Sequence, residues 1–178
     1  GDVITILVGK EKQALTVHEC LARASSPFID RALTAAWAEH RNRTIRLPDD
    51  EHEIVVLYVH WLYCGKLPVI SDAYKVEYTQ LVKAYILGDK LLSTEFQHSV
   101  IGALIERRTT FIGGRRCAPT AETVAYAYCH TIPTSPLRQL LVDIRVNSTN
   151  PTEWLSENRS LLPADFLVDL AIKLFDLR

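Results

Sequence analysis

The run Ile54, Val55, Val56, Leu57, Tyr58, Val59, His60, Trp61, Leu62, Tyr63, Cys64, Gly65 is apolar around almost the whole of a helical circumference. It is far shorter than the roughly 18 residues that suggest a membrane span. A helix without a polar side is a buried helix, so the segment is expected at the centre of a domain with other elements on every side. Gly65 ends it, because glycine readily takes the left-handed conformation that helix C-termini favour. Just upstream, Thr44, Ile45, Arg46 and Leu47 alternate as a short half-buried strand that stops at Pro48. Asp49 and Asp50 follow, where carboxylates suit a helix N-terminus.

Further towards the start, Asp2 to Val8 combines β-branched residues with partial alternation, and the polar turn Gly9 to Lys12 leads to Ala14 to His18. These segments read as a β-hairpin. Ser25 and Ser26 before Pro27 give an N-cap followed by proline at the first helical position, predicting a helix from Pro27 to about Trp37. Beyond the central run, Lys66 to Ile70 reads as a further strand. Two helices then follow, with apolar residues at helical spacing in Tyr78, Leu81, Val82, Tyr85 and Leu92, and in Phe96, Val100, Ala103 and Leu104. A sheet first and helices afterwards predicts an α+β domain over residues 1–108. Past Arg108 a loop with Gly113, Gly114, Arg115, Arg116 and Pro119 opens a helical extension over 109–178, expected to pack on the first part. Its helices are Ala121 to Cys129, Pro136 to Val146 and Pro163 to Leu177, with the cap-then-proline signal at Ser135 and again at Asn150.

Composition narrows the function classes. The 178 residues are 48% apolar, and 20 Lys+Arg stand against 21 Asp+Glu, so the chain folds and carries no overall field for a polyanion. Nucleic acid is therefore an unlikely partner. Cys20, Cys64, Cys117 and Cys129 have no paired spacing, which points to reduced thiols inside the cell, in the nucleus, the cytoplasm or both. With no Met, the translational start is expected to lie outside this sequence.

The order and spacing of the signals over about residues 2–105 resembles a BTB/POZ domain, most closely the short fungal type. The likeness rests on Asp2 and Val3, on Val17, His18 and Leu21 entering a first helix, and on Ser25, Ser26, Pro27 and Phe28 starting a second. Ile45, Leu47, Pro48 and Asp49, then Trp61 to Leu67, then Tyr85, Leu87, Gly88, Asp89, Lys90 and Leu91 continue it. Ser135 to Asp143 resembles the segment that follows the domain in the fungal branch. The resemblance implies a small N-terminal sheet packed on a helix cluster and a non-catalytic protein-interaction domain, not an enzyme. Such a domain self-associates as a homodimer, serves transcription regulators as a scaffold, or recruits a cullin as a ubiquitin-ligase adaptor. Many members dimerise through a swapped N-terminal helix and strand, whereas this sequence opens at the first core strand, so the usual dimer is not expected from these residues. The separate substrate module of adaptors is expected either outside this sequence or replaced by the C-terminal helices.

Trp37, Ala38 and Glu39 fit the hydrophobic, any residue, Glu pattern of cullin-binding members, and an aromatic anchor beside a carboxylate suits a groove with a basic rim. Trp37, Glu39 and Tyr85 are thus the candidate partner-binding residues. If the protein is a monomer, exposed Leu, Val and aromatic residues of the C-terminal helices become the candidates instead.

Other constellations have plainer readings. His60 and Cys64 share a helix face but make only two ligands, so no metal is expected, and buried thiols with a hydrogen-bonded histidine are the alternative. No nucleophile elbow joins a Ser or Cys to a His and an acid, so neither catalytic residues nor a cofactor are expected. Arg107, Arg108, Arg115 and Arg116 around Gly113 and Gly114 lack the Lys and Ser or Thr of a phosphate loop, and Arg107 and Arg108 fit a helix C-terminus.

Overall fold

The computed structural model describes residues 1–34, 42–68, 70–71, 74–75, 77–109, 111–112, 115–116, 118–148 and 151–177. The fold is α+β: a three-stranded sheet near the N-terminus and, among the described residues, nine helices. The chain divides into two compact units, Gly1–Pro68 with Lys83–Ile101, and Val69–Val82 with Gly102–Arg178.

In the first unit, β1 (Val3–Val8) and β2 (Gln13–His18) form the expected hairpin, with Ile4 opposite Val17 and Ile6 opposite Leu15. The third strand, β3 (Thr44–Leu47), joins the other edge of β1 in parallel, pairing Ile6 with Ile45 and Val8 with Leu47. Period-two alternation puts Ile4, Ile6, Val8, Val17, Ile45 and Leu47 on one face, and all six are buried. A parallel pair needs a crossover, and helices α1 (Glu19–Ser25) and α2 (Pro27–Thr34) lie within it. The Ser26 hydroxyl accepts the Ile29 N–H at 3.1 Å, which is the predicted cap, and donates to the Leu91 carbonyl at 2.6 Å. The last part of the predicted Pro27 to Trp37 helix lies outside the described residues.

The central run forms α3 (His52–Cys64). Gly65 closes it at φ 67°, donating to the Trp61 carbonyl at 2.8 Å. Burial on every side does not hold. Ile54, Val55, Leu57, Tyr58 and Trp61 are buried, Val56, Val59 and Leu62 are half-buried, and His60, Tyr63 and Cys64 are exposed. One face of α3 therefore meets the core and the opposite edge reaches solvent. Asp49 and Asp50 precede α3 as expected, and Glu51 holds its N-cap position without a side-chain cap; the Asp50 and Glu51 carboxylates accept from the ammonium groups of Lys90 and Lys83, each at 2.5 Å. An aromatic cluster anchors the core, with Phe96 5.1 Å from both Tyr58 and Trp61 between ring centres. The Trp61 indole donates to the Ser99 hydroxyl at 2.8 Å.

The predicted strand Lys66 to Ile70 is corrected: the strand there, β4, is Ile70–Ser71, paired with β5 (Tyr74–Lys75), while Lys66 to Pro68 is irregular. A two-residue ladder carries too little alternation to stand out in a sequence. Helices α4 (Tyr78–Lys90) and α5 (Thr94–Thr109) follow as predicted. Gly88 lets them approach: a Cβ there would fall 2.8 Å from Gln97 Cγ and 3.1 Å from Phe96 Cδ1.

In the second unit the loop after α5 contains a short hairpin, β6 (Phe111–Ile112) with β7 (Arg115–Arg116). Then come α6 (Ala121–His130), α7 (Pro136–Val146), α8 (Pro151–Asn158) and α9 (Ala164–Asp176). Thr120 caps α6, and Ser135 caps α7 ahead of Pro136, their hydroxyls each accepting a backbone N–H at 3.3 Å. The core of this unit joins Ala121, Val124, Tyr128, Val142, Leu162, Phe166 and Leu170, with Trp154 half-buried against it.

Candidate interaction surface

Of the candidate partner-binding residues, Trp37 and Glu39 lie outside the described residues. Tyr85, on α4, is 7% exposed. Arg107 and Arg108 do fall in the last turn of α5, where cations suit the helix dipole. Gly113 and Gly114 lie outside the described residues. The expectation of buried thiols is overturned: Cys20, Cys64 and Cys129 are exposed, and so is His60, because the edge of α3 that carries His60 and Cys64 faces solvent. Among the described residues, no group of three or more His, Cys, Asp or Glu could hold a metal ion. Among the same residues, no helix is long and apolar enough to cross a membrane.

The surface that stands out lies on α9. Phe166 and Leu170, one turn apart, point into the core of the second unit, and the helix packs on α6 and α7. The opposite side is just as apolar. Val168, Ile172 and Phe175 are 56%, 55% and 69% exposed, with Ala171 between them, and the spacing i, i+3, i+4, i+7 sets all four in one stripe. Leu167 and Leu174, also exposed, flank it. A contiguous apolar patch of about 300–600 Å² is the largest usual on a monomer and is often functional.

The stripe has a charged edge on one side. Asp165, Asp169 and Asp176 follow one another along α9, and Lys173 among them is paired with Asp143 of α7 at 2.8 Å. Between α7, α9 and the turn before α7 lies a groove of ≈ 330 Å³, lined by Pro133, Gln139, Val142, Asp143, Asp169, Ile172, Lys173 and Asp176. Its walls combine apolar side chains with three carboxylates against one ammonium.

Two arginines hold the scaffold beneath, and sequence reasoning missed both. Arg138 is 5% exposed; it donates to the Tyr128 carbonyl at 2.8 Å and to the Thr131 carbonyl and hydroxyl, and its guanidinium lies 4.4 Å over the Tyr128 ring. Arg145 is 4% exposed, donates to the Pro119 carbonyl at 2.5 Å and lies 3.5 Å over the Trp154 ring. Burial pulls the Arg145 guanidinium down to about 10. Their sequence signal was available: Arg138, Leu141, Val142 and Arg145 are spaced as a single helical stripe, which puts both arginines on the buried face of α7. Tyr128 donates to Asp169 at 2.7 Å, fixing one carboxylate of the charged edge; burial first, and this carboxylate second, push the Tyr128 phenol well above its ordinary range.

No protein-family model matches the chain, and a search of curated proteins finds no match either.

Proposed function

We propose that this chain is a non-catalytic protein-interaction domain of the BTB/POZ type that acts as an adaptor for a cullin scaffold in a ubiquitin ligase. The observation that carries the interaction reading is the outer face of α9, because a broad apolar stripe left in water on an otherwise well-packed unit marks a surface built for a protein partner. The cullin reading draws on the residue order that resembles the family and on Trp37 and Glu39. An aromatic anchor supplies interface energy when buried, and a neighbouring carboxylate orients the partner through its basic rim. In this arrangement Trp37 and Glu39 engage the scaffold, while the C-terminal helices are free to receive a second protein.

The test is the solution mass of the full chain alone and with a purified cullin N-terminal domain. The adaptor reading expects a complex with the scaffold that Trp37→Ala weakens at least about tenfold, the scale of a lost aromatic anchor. No complex, or one that Trp37→Ala leaves intact, overturns it. The second reading, a self-associating scaffold or transcription-regulator module without cullin binding, draws on the same apolar face, since an exposed stripe also suits a second copy. It expects twice the monomer mass and no response to the cullin domain.

A further inference from the structure

From the apolar stripe and acidic edge of α9 we infer that this face receives a basic amphipathic helix from another protein, seated with its apolar side on the stripe and its Lys or Arg side chains along the groove beside α7. The inference rests on the interaction reading above and adds the chemistry of the partner.

Three observations select this occupant. Val168, Ala171, Ile172 and Phe175 present the i, i+3, i+4, i+7 anchor spacing by which one helix reads another. The groove of ≈ 330 Å³ opens beside Ile172, so an incoming side chain can enter between α7 and α9 without displacing the core. The charge is one-sided: Asp143, Asp169 and Asp176 line that groove against Lys173, whose ammonium is already held by Asp143 at 2.8 Å. Complementary potential sets partner choice and orientation, so cations on the incoming helix are favoured and carboxylates are rejected. A second copy of α9 would bring its own row of aspartates towards this one. An anionic membrane surface would be repelled by the same row.

The probe is a fluorescent helical peptide of about 18 residues containing only Leu and Lys, with Leu at helix-face spacing. A matched peptide carries Glu in place of every Lys. The full-length chain should bind the Leu/Lys peptide, with affinity falling as salt rises, and should bind the Leu/Glu peptide at least about tenfold more weakly. Ile172→Ala with Phe175→Ala should weaken the Leu/Lys peptide by about tenfold or more. Asp176→Asn should weaken it by about twofold to fivefold and flatten the salt dependence. These side chains are exposed, so matched unfolding curves separate lost binding from lost folding. Equal affinity for the two peptides overturns the charge assignment, and binding that ignores Ile172 and Phe175 overturns the site. Self-association that Phe175→Asp abolishes assigns the face to a second copy and overturns the proposal. A Trp37-dependent cullin complex alongside a failed peptide titration overturns this inference alone.

Discussion

Helices α3 and α9 are each thirteen residues long and apolar around most of their circumference, yet they end in different surroundings. α3 buries Ile54, Val55, Leu57, Tyr58 and Trp61 beneath the elements of its own unit, whereas α9 buries Phe166 and Leu170 and leaves Val168, Ile172 and Phe175 in water. An apolar helix carries a demand for cover without specifying what supplies it. For α3 its own unit covers the aliphatic and aromatic face and leaves the edge with His60, Tyr63 and Cys64 in solvent; for α9 a whole face of large aliphatic and aromatic side chains stays exposed to a partner.

The largest expected effects fall where that cover is internal. Phe96→Ala removes a ring that sits 5.1 Å from both Tyr58 and Trp61, and Phe166→Ala removes the fully buried anchor of α9. Each should cost about 3–5 kcal/mol in urea unfolding, the range of buried Phe truncations. A loss below about 1 kcal/mol at Phe96 would break the comparison, because α3 would then not depend on the core that covers it.

Titration sharpens the same contrast. Burial pushes the Tyr58 phenol up to about 12 against an ordinary value near 10, while its hydrogen bond with Ser25 acts in the opposite direction. The folded state therefore holds this proton more tightly than the unfolded state. The stability it contributes is complete below pH 10 and is lost as pH rises towards 12, by about 2.7 kcal/mol for two units. Tyr58→Phe should cost about 1 kcal/mol at neutral pH for the lost hydrogen bond and abolish this alkaline loss. The difference between the two proteins' stability curves between pH 10 and 12 isolates the effect from Arg145, whose depressed value acts in the opposite sense. Parallel curves would show that Tyr58 is not sealed in the core.

Beneath α9 the dependence is on a buried cation. Arg138→Met keeps much of the side-chain volume but leaves the Tyr128 and Thr131 carbonyls without their donor, at about 2 kcal/mol. The smallest effect should come from the outer stripe: Phe175→Ala and Ile172→Ala should each change stability by less than about 0.5 kcal/mol, as exposed substitutions do. A large loss there would show that the stripe is covered by the chain itself, and α9 would then resemble α3.

Much of this architecture was legible in local patterns. Alternation in Val3–Val8 located the central strand, Ser26 and Ser135 announced their helices through their hydroxyls, and Gly65 marked the end of α3. The parallel pairing of β1 with β3 was not legible, because pairing partners are set by the crossover and leave no local periodicity. The exposed edge of α3 was hidden for a related reason: aliphatic, aromatic and thiol side chains read as apolar whether or not the fold covers them. The site divides the same way. The C-terminal helices were foreseeable as a source of exposed apolar residues, but which side of α9 stays open follows from how Phe166 and Leu170 dock, and the acidic groove requires Asp143 of α7 beside Asp169 and Asp176.

The most direct test of the outer face of α9 as a partner surface is a residue-by-residue NMR titration of the full-length chain with the Leu/Lys peptide. The account predicts that the largest shift changes fall on Val168, Ala171, Ile172 and Phe175 and on the facing residues of α7, with α3 unchanged. Shifts centred on the half-buried edge of α3, at Val56, Val59 and Leu62, or no localised shifts at saturating peptide, would contradict it.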